Sequence, residues 1–310
     1  GAPDAVTARP AAIRALRRRP ARGKMARMWL RIILAAACGA AALAGAARAD
    51  SFGGATWAVH FNRPDQTTSP TSLGAEEFAI RDALLARIDA LASGDWGCLA
   101  TYTFSGVSAN AGAAGPILAA VSNALARGAR MGFVAGNGVN VESNYWPGVS
   151  LASLAARPSN PLELSRAPAD AGIMHDKVGV FWYRAAGQGW TLAGSWNFTA
   201  AASSQQWNIF TEIQDNGLAA AYSNEMRELL SGRFHANTNK SHRCDGTRFR
   251  PEGAPRDGWV RFAPYPDAKT GGSNALTDVV GAIDGAQEEI FFALNKLTRP
   301  DVVSALIRAC

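Results

Sequence analysis

Two stretches of this chain repeat at a fixed offset of 195 residues, and a repeat constrains the fold more than any local pattern. Ile88-Asp89 aligns with Ile283-Asp284, Leu84-Leu85 with Val279-Val280, Leu99 with Leu294 and Thr103 with Thr298, without a gap. After a slightly shorter connection Pro300 takes the place of Pro116, and Ala305-Leu306 that of Ala124-Leu125. One supersecondary unit is thus used twice, and its first copy shows what it is. Phe78, Ile80, Leu84, Leu85, Ile88 and Leu91 recur at helical spacing over Glu76 to Leu91. Cys98 to Phe104 alternates like a strand, and Pro116 suits the first turn of a helix running to Ala126. Arg130 to Ala135 then reads as another strand. Helices alternating with strands predict an α/β fold, a layered sheet flanked by helices.

Further strands are expected at Trp57 to Phe61 and Trp207 to Ile213, and a helix at Leu218 to Leu230. Asp65 to Ser72 is a Thr/Ser/Pro-rich loop. Gly136 to Asp170 is a long turn-rich stretch, a binding loop or lid carrying Tyr145 and Trp146, or one in which those aromatics pack. Residues 1–24, rich in Ala and Arg, read as translation upstream of the true start. Residues 25–49 read as a signal peptide: Met25, Arg27 and Arg31, an apolar run from Ile32 to Ala44, and a small-x-small site at Ala47-Arg48-Ala49. A retained anchor is the alternative, although the apolar run is short of the roughly 20 residues a spanning helix needs. Residues 50–234 form a first lobe, 235–258 a polar linker, and 259–310 the opening of a second lobe that stops inside its second helix, as in a fragment.

The formal charge of +6 belongs to the leader, because residues 1–49 hold ten Lys/Arg and one Asp. The remainder has 21 basic and 24 acidic residues, a mildly acidic body without the footprint of a general nucleic-acid binder. Export would permit a Cys98–Cys244 disulfide, with buried free thiols as the alternative. No CxxC or HExxH spacing supports a metal site.

Chemistry concentrates in Ile173 to Thr199. If His175 and Lys177 lie in a strand, they share one face and Asp176 takes the other. A turn at Ala185 to Gly189 would fold a second strand back, bringing Gly194-Ser195-Trp196-Asn197 near that pair. A nucleophile, a cation and hydrogen-bonding groups would then line a phosphate pocket. His60 reads as a satisfied strand histidine, and His235 and His242 as solvated ones.

His-x-Lys, with Gly-Ser-x-Asn beginning seventeen residues after the lysine in a duplicated α/β unit, resembles the phospholipase D superfamily. Phe198-Thr199 extends the likeness, which spans about residues 57–233 and restarts at 259–310. The resemblance implies phosphodiester cleavage with His175 as nucleophile or acid, and Lys177 and Asn197 on the non-bridging oxygens. Ser195 and Gly194 would orient the pocket, and neither cofactor nor metal would be needed. The family's aspartate five residues after the lysine is Trp182 here, so Glu212 becomes the candidate partner for His175. Gln206 and Asn208 lie where the family often has polar residues near the site.

Catalysis in this family takes two such motifs, and none of His60, His235 or His242 has lysine two places on. The second motif is expected beyond Cys310, or from a homodimer, and the isolated 310-residue piece is expected to be inactive or very weak. The expected function is a secreted or periplasmic phosphodiesterase acting on phospholipid head-group esters, with peripheral membrane contact. An exported endonuclease is the alternative, disfavoured by the acidic body, and a non-catalytic binding protein is the third reading, suggested by Trp182.

Overall fold

The computed structural model describes residues 51–53, 56–64, 77–107, 112–169, 173–234, 247–251, 257–262, 275–292 and 297–310. The proposed leader, the Asp65–Ser72 loop, His235, His242 and Cys244 lie outside these. The chain divides into two compact units, Ala47–Thr270 and one that includes Gly271–Cys310.

The first unit is built on an eight-stranded sheet of β1 (Ser51–Gly53), β2 (Trp57–Phe61), β3 (Trp96–Thr101), β4 (Arg130–Ala135), β5 (Glu163–Arg166), β6 (Lys177–Tyr183), β7 (Gln188–Gly194) and β8 (Ile209–Gln214), in the order β1-β2-β8-β7-β6-β3-β4-β5. Strands β3, β4 and β5 run parallel, and the other neighbours are antiparallel. Helices α1 (Ala79–Asp89) and α2 (Ala114–Ala126) bring Ile80, Leu84, Ile88, Ile117 and Val121 into one core with Leu99, Phe133, Phe181 and Leu192. The two short helices, α3 (Leu151–Ala155) and α4 (Ala200–Ser204), are capped by Ser150 and Thr199. Helix α5 (Asn216–Leu230), capped by Asp215, brings Ala219, Met226 and Leu229 into a second core with Cys98, Ala100, Val134, Val178 and Val180. Alternate residues of one strand therefore serve different layers, as the pleat requires.

Gly136 to Asp170 is not simply a loop, since α3 and β5 form within it. Tyr145 is buried, its ring edge-on to Phe104 at 4.7 Å and its hydroxyl donating to the Asn140 carbonyl. Tyr145 thus packs; Trp146 stays partly exposed. Cys98 is a buried free thiol, and burial pushes its pKa far up; Cys244, its expected disulfide partner, lies outside the described residues.

The expected linker also changes. Strands β9 (Thr247–Phe249) and β10 (Gly258–Val260) form a hairpin, and Val260 packs on Leu218 and Ala221 of α5 with Phe249, Tyr222 and Phe262 around it. A first lobe ending at 234 leaves out this hairpin, which packs on it, and a boundary at 259 falls inside β10. In the second unit, α6 (Ala275–Asp284) and α7 (Pro300–Ala309, proline in its first turn) stand where the repeat places helices, and Arg308 pairs with Asp284 at 2.8 Å. The strand predicted around Leu294 falls largely outside the described residues.

Candidate active site

Strand β6 begins at Lys177, so His175 lies in the approach to the strand rather than within it. The expected alternation therefore fails where it was invoked. His175, Asp176 and Lys177 all face one cavity of about 510 Å³, although Asp176 was expected to point away. Ala193 and Gly194 at the end of β7 and Thr211 of β8 continue the wall. Tyr222 and Glu225 of α5 form another side, with Arg261 and Phe262 just past β10.

The His175 imidazole is solvent-exposed and stands 5.0 Å from the Tyr102 ring, centroid to centroid, tilted by 55°. Lys177 is buried; Nζ donates to the His175 carbonyl at 2.7 Å and lies 5.6 Å from the Tyr102 centroid. Burial, then the Lys177 charge, lowers the His175 pKa, and Asp176 opposes both. Burial brings Lys177 down to about 8, again with Asp176 opposing. Both shifts favour the uncharged forms, because burial penalises charge at the imidazole and the ammonium alike.

A buried ammonium with a lowered pKa costs stability, which gives a signed prediction. Between a folded pKa of about 8 and an unfolded one of ~10.4, the unfolded chain holds more protons, so stability rises with pH across that window. Lys177→Met is therefore expected to stabilise the protein below pH 8 by on the order of 1–2 kcal/mol after screening, with the gain vanishing toward pH ~10.4. Urea melts of both proteins from pH 6 to 11 check this; a destabilised methionine variant at pH 7 would contradict it.

Gly194 owes its identity to packing, since a Cβ there would run into the Ile209 carbonyl on β8. Ser195, outside the cavity lining, donates from Oγ to Asn208 Oδ1 at 3.0 Å and accepts from the Ile209 amide at 3.1 Å. The Asn208 amide group in turn donates to the Ala202 carbonyl, and Asn62 donates to the Ala202, Ser203 and Gln206 carbonyls. Ser195 and Asn208 thus fasten the loop after β7. Gln206 takes part through its backbone. Asn197 also lies outside the cavity lining, and its buried Oδ1 has no hydrogen-bond partner among the described residues.

Two expectations about orienting groups are corrected. Glu212 does not reach His175: its carboxylate accepts from His60 Nε2 at 2.7 Å and from Arg87 Nε. It shares a sheet face with Leu192 and the α1/α2 core, whereas its neighbour Thr211 faces the cavity. His60 is accordingly the satisfied strand histidine it was expected to be. Trp182 stands five residues along β6 from Lys177, about 17 Å at the usual strand rise, so a carboxylate there would not touch His175 either. Its indole donates to Ser223 Oγ at 2.8 Å and ties α5 to the sheet. Trp182 is therefore no mark of a lost site. Tyr102, Tyr222, Glu225 and Arg261 went unmarked in the sequence, because their proximity comes from strand register and from α5 and the hairpin crossing the same face.

No family model and no curated protein matches the chain significantly. Among solved structures it is similar to NucT from Helicobacter pylori, at 15% identity and a TM-score of 0.39 over 52% of this chain and 92% of that one. It is also similar to Nuc from Salmonella typhimurium, described as a phospholipase D family member, at 18% identity and a TM-score of 0.40 over 57% and 95%. Yeast tyrosyl-DNA phosphodiesterase is a third, at 11% identity and a TM-score of 0.31 over 55% and 39%. In this chain a mixed sheet lies between helical layers, His-x-Lys leads into one strand and Gly-Ser-x-Asn leaves its antiparallel neighbour.

Proposed function

We propose that the chain is an exported phosphodiesterase in which His175 displaces one ester group from phosphorus, with phospholipid head-group esters as its substrates. The carrying observation is the juxtaposition of an exposed imidazole with a buried lysine at one cavity. A neutral His175 ring nitrogen attacks phosphorus, the bond to the leaving oxygen breaks, and that oxygen departs with the electron pair. Lys177 holds a non-bridging oxygen as charge builds on it. Water then attacks phosphorus, the P–N bond breaks with its electron pair returning to the imidazole, and the proton shed by the attacking water passes to solvent. Asn197 is assigned to the phosphate by the motif. Protonation of an alkoxide leaving group calls for a second histidine, supplied by another such lobe or a second copy of the chain.

Release of head group from phosphatidylcholine vesicles, lost in His175→Ala, tests the lipid reading. Cleavage of single-stranded DNA with no lipid turnover would replace it with the nuclease reading.

The pH profile follows from the cavity's charges. Activity should rise with pH as His175 loses its proton, below the ordinary imidazole value, and fall as Lys177 loses its own near 8. Asp176 raises both pKa values, so Asp176→Asn should move both limbs toward acid. Rate–pH curves on a 4-nitrophenyl phosphodiester measure this; limbs that stay put or move alkaline would contradict it.

A further inference from the structure

The catalytic cavity does not stop at Tyr222. A second cavity, about 190 Å³, adjoins it along the sheet and shares Ala193, Thr211 and Tyr222 as walls. Its other walls are apolar: Ile213, Leu218, Phe249, Trp259 and Val260, with Thr191 in the sheet behind. It lies between β7, β8, α5 and the β9–β10 hairpin.

Two features mark this recess as more than a packing defect. Trp259, 58% exposed, keeps a large apolar side chain at its opening, where water contact costs free energy unless an apolar group covers it. Thr191, 2% exposed, lines the same space, whose remaining lining is mostly hydrocarbon, and its buried Oγ1 has no hydrogen-bond partner among the described residues. The ionisable groups stay in the first cavity, where His175, Asp176, Lys177, Glu225 and Arg261 are.

We infer that this recess binds an apolar substituent of the phosphodiester whose phosphate sits at His175 and Lys177, so that the β9–β10 hairpin selects esters bearing an alkyl chain. The inference rests on the proposed phosphodiesterase reading and deepens it. A ligand would place phosphate by the basic end and run its chain along Ala193 and Thr211 under Trp259. Hydrocarbon would cover surface that otherwise meets water, which favours longer chains until the recess is full. The assignment concerns the hairpin's own residues, which lie outside both motifs.

The test compares methyl and hexyl 4-nitrophenyl phosphate. The hexyl ester is expected to have the lower KM, by about tenfold or more, with kcat little changed. Trp259→Ala should erase most of that preference and leave the methyl ester's constants as they were. Thr191→Val, which keeps shape and removes the unpaired hydroxyl, should widen it about two- to threefold. Equal KM for both esters, or a Trp259→Ala effect of the same size on both, overturns the inference. If neither ester turns over, calorimetry with dihexyl and dimethyl phosphate decides. Tighter dihexyl binding, weakened by Trp259→Ala, supports the recess while the phosphodiesterase reading falls; equal or absent binding of the two overturns the recess.

Discussion

Replacing His175 with alanine is expected to lower the first-turnover rate on bis(4-nitrophenyl) phosphate by about 10³-fold or more, with the melting temperature unchanged. The nitrophenolate leaves without being protonated, so the first displacement needs only the nucleophile and the charge that steadies phosphorus. That choice of substrate isolates the step His175 performs from the one a second histidine would perform. His175 is exposed and precedes β6, so its side chain supports no core contact whose loss could imitate a catalytic defect. Lys177→Met serves as the companion: it should lose comparable activity while gaining stability. A fold loss in both, or a His175→Ala rate within a few-fold of the parent, would remove this histidine from the chemistry.

The largest stability effect is expected at Glu212, which the same account keeps out of the chemistry. Its carboxylate is nearly buried between His60 and Arg87, and Arg87 also lies 3.3 Å over the Trp190 ring. Glu212→Leu leaves a guanidinium and an imidazole with no counter-charge in the α1 layer, and should cost about 3–5 kcal/mol. Burial alone would push the Glu212 pKa up, but hydrogen bonds from His60 and Arg87 outweigh it and hold the pKa below the ordinary carboxylate value. The stabilisation is therefore fully present above the unfolded pKa of ~4.3 and is lost as pH falls through the lower folded value. Denaturant melts from pH 3 to 7 should show parent and variant converging at the acid end. Glu212→Gln, which keeps the shape, should retain the parental rate per folded molecule; a drop of tenfold or more would restore Glu212 to the site.

The β6–β7 hairpin was legible because alternation and a turn-forming Ala185–Gly189 bracket it; Gly194 was marked by the motif alone, and the reason for a glycine there, a Cβ that would meet the Ile209 carbonyl on β8, came only with the fold. The side a residue faces was less legible. Thr211 and Glu212 alternate as strand residues must, yet nothing local says which faces the cavity and which the α1 layer. The strand pattern was also carried two residues too far toward the N-terminus, which put His175 and Asp176 on opposite faces when both meet one cavity. Strands β9 and β10 hid in polar composition. Their apolar residues, Phe249, Trp259 and Val260, matter only because α5 lies beneath them. A carboxylate partner for His175 was sought at Trp182 and Glu212. Distance along β6 rules out the first, and the two faces of β8 rule out the second.

The central claim is that the His175 ring forms a bond to phosphorus. Rapid mixing with bis(4-nitrophenyl) phosphate, an alkaline quench that preserves phosphoramidates, and peptide mass analysis test it most directly. The account predicts one nitrophenyl-phosphoryl adduct on the peptide carrying His175, formed with a nitrophenolate burst equal to the enzyme present and absent from His175→Ala. Turnover without any adduct, or an adduct on another residue that persists in His175→Ala, would contradict it.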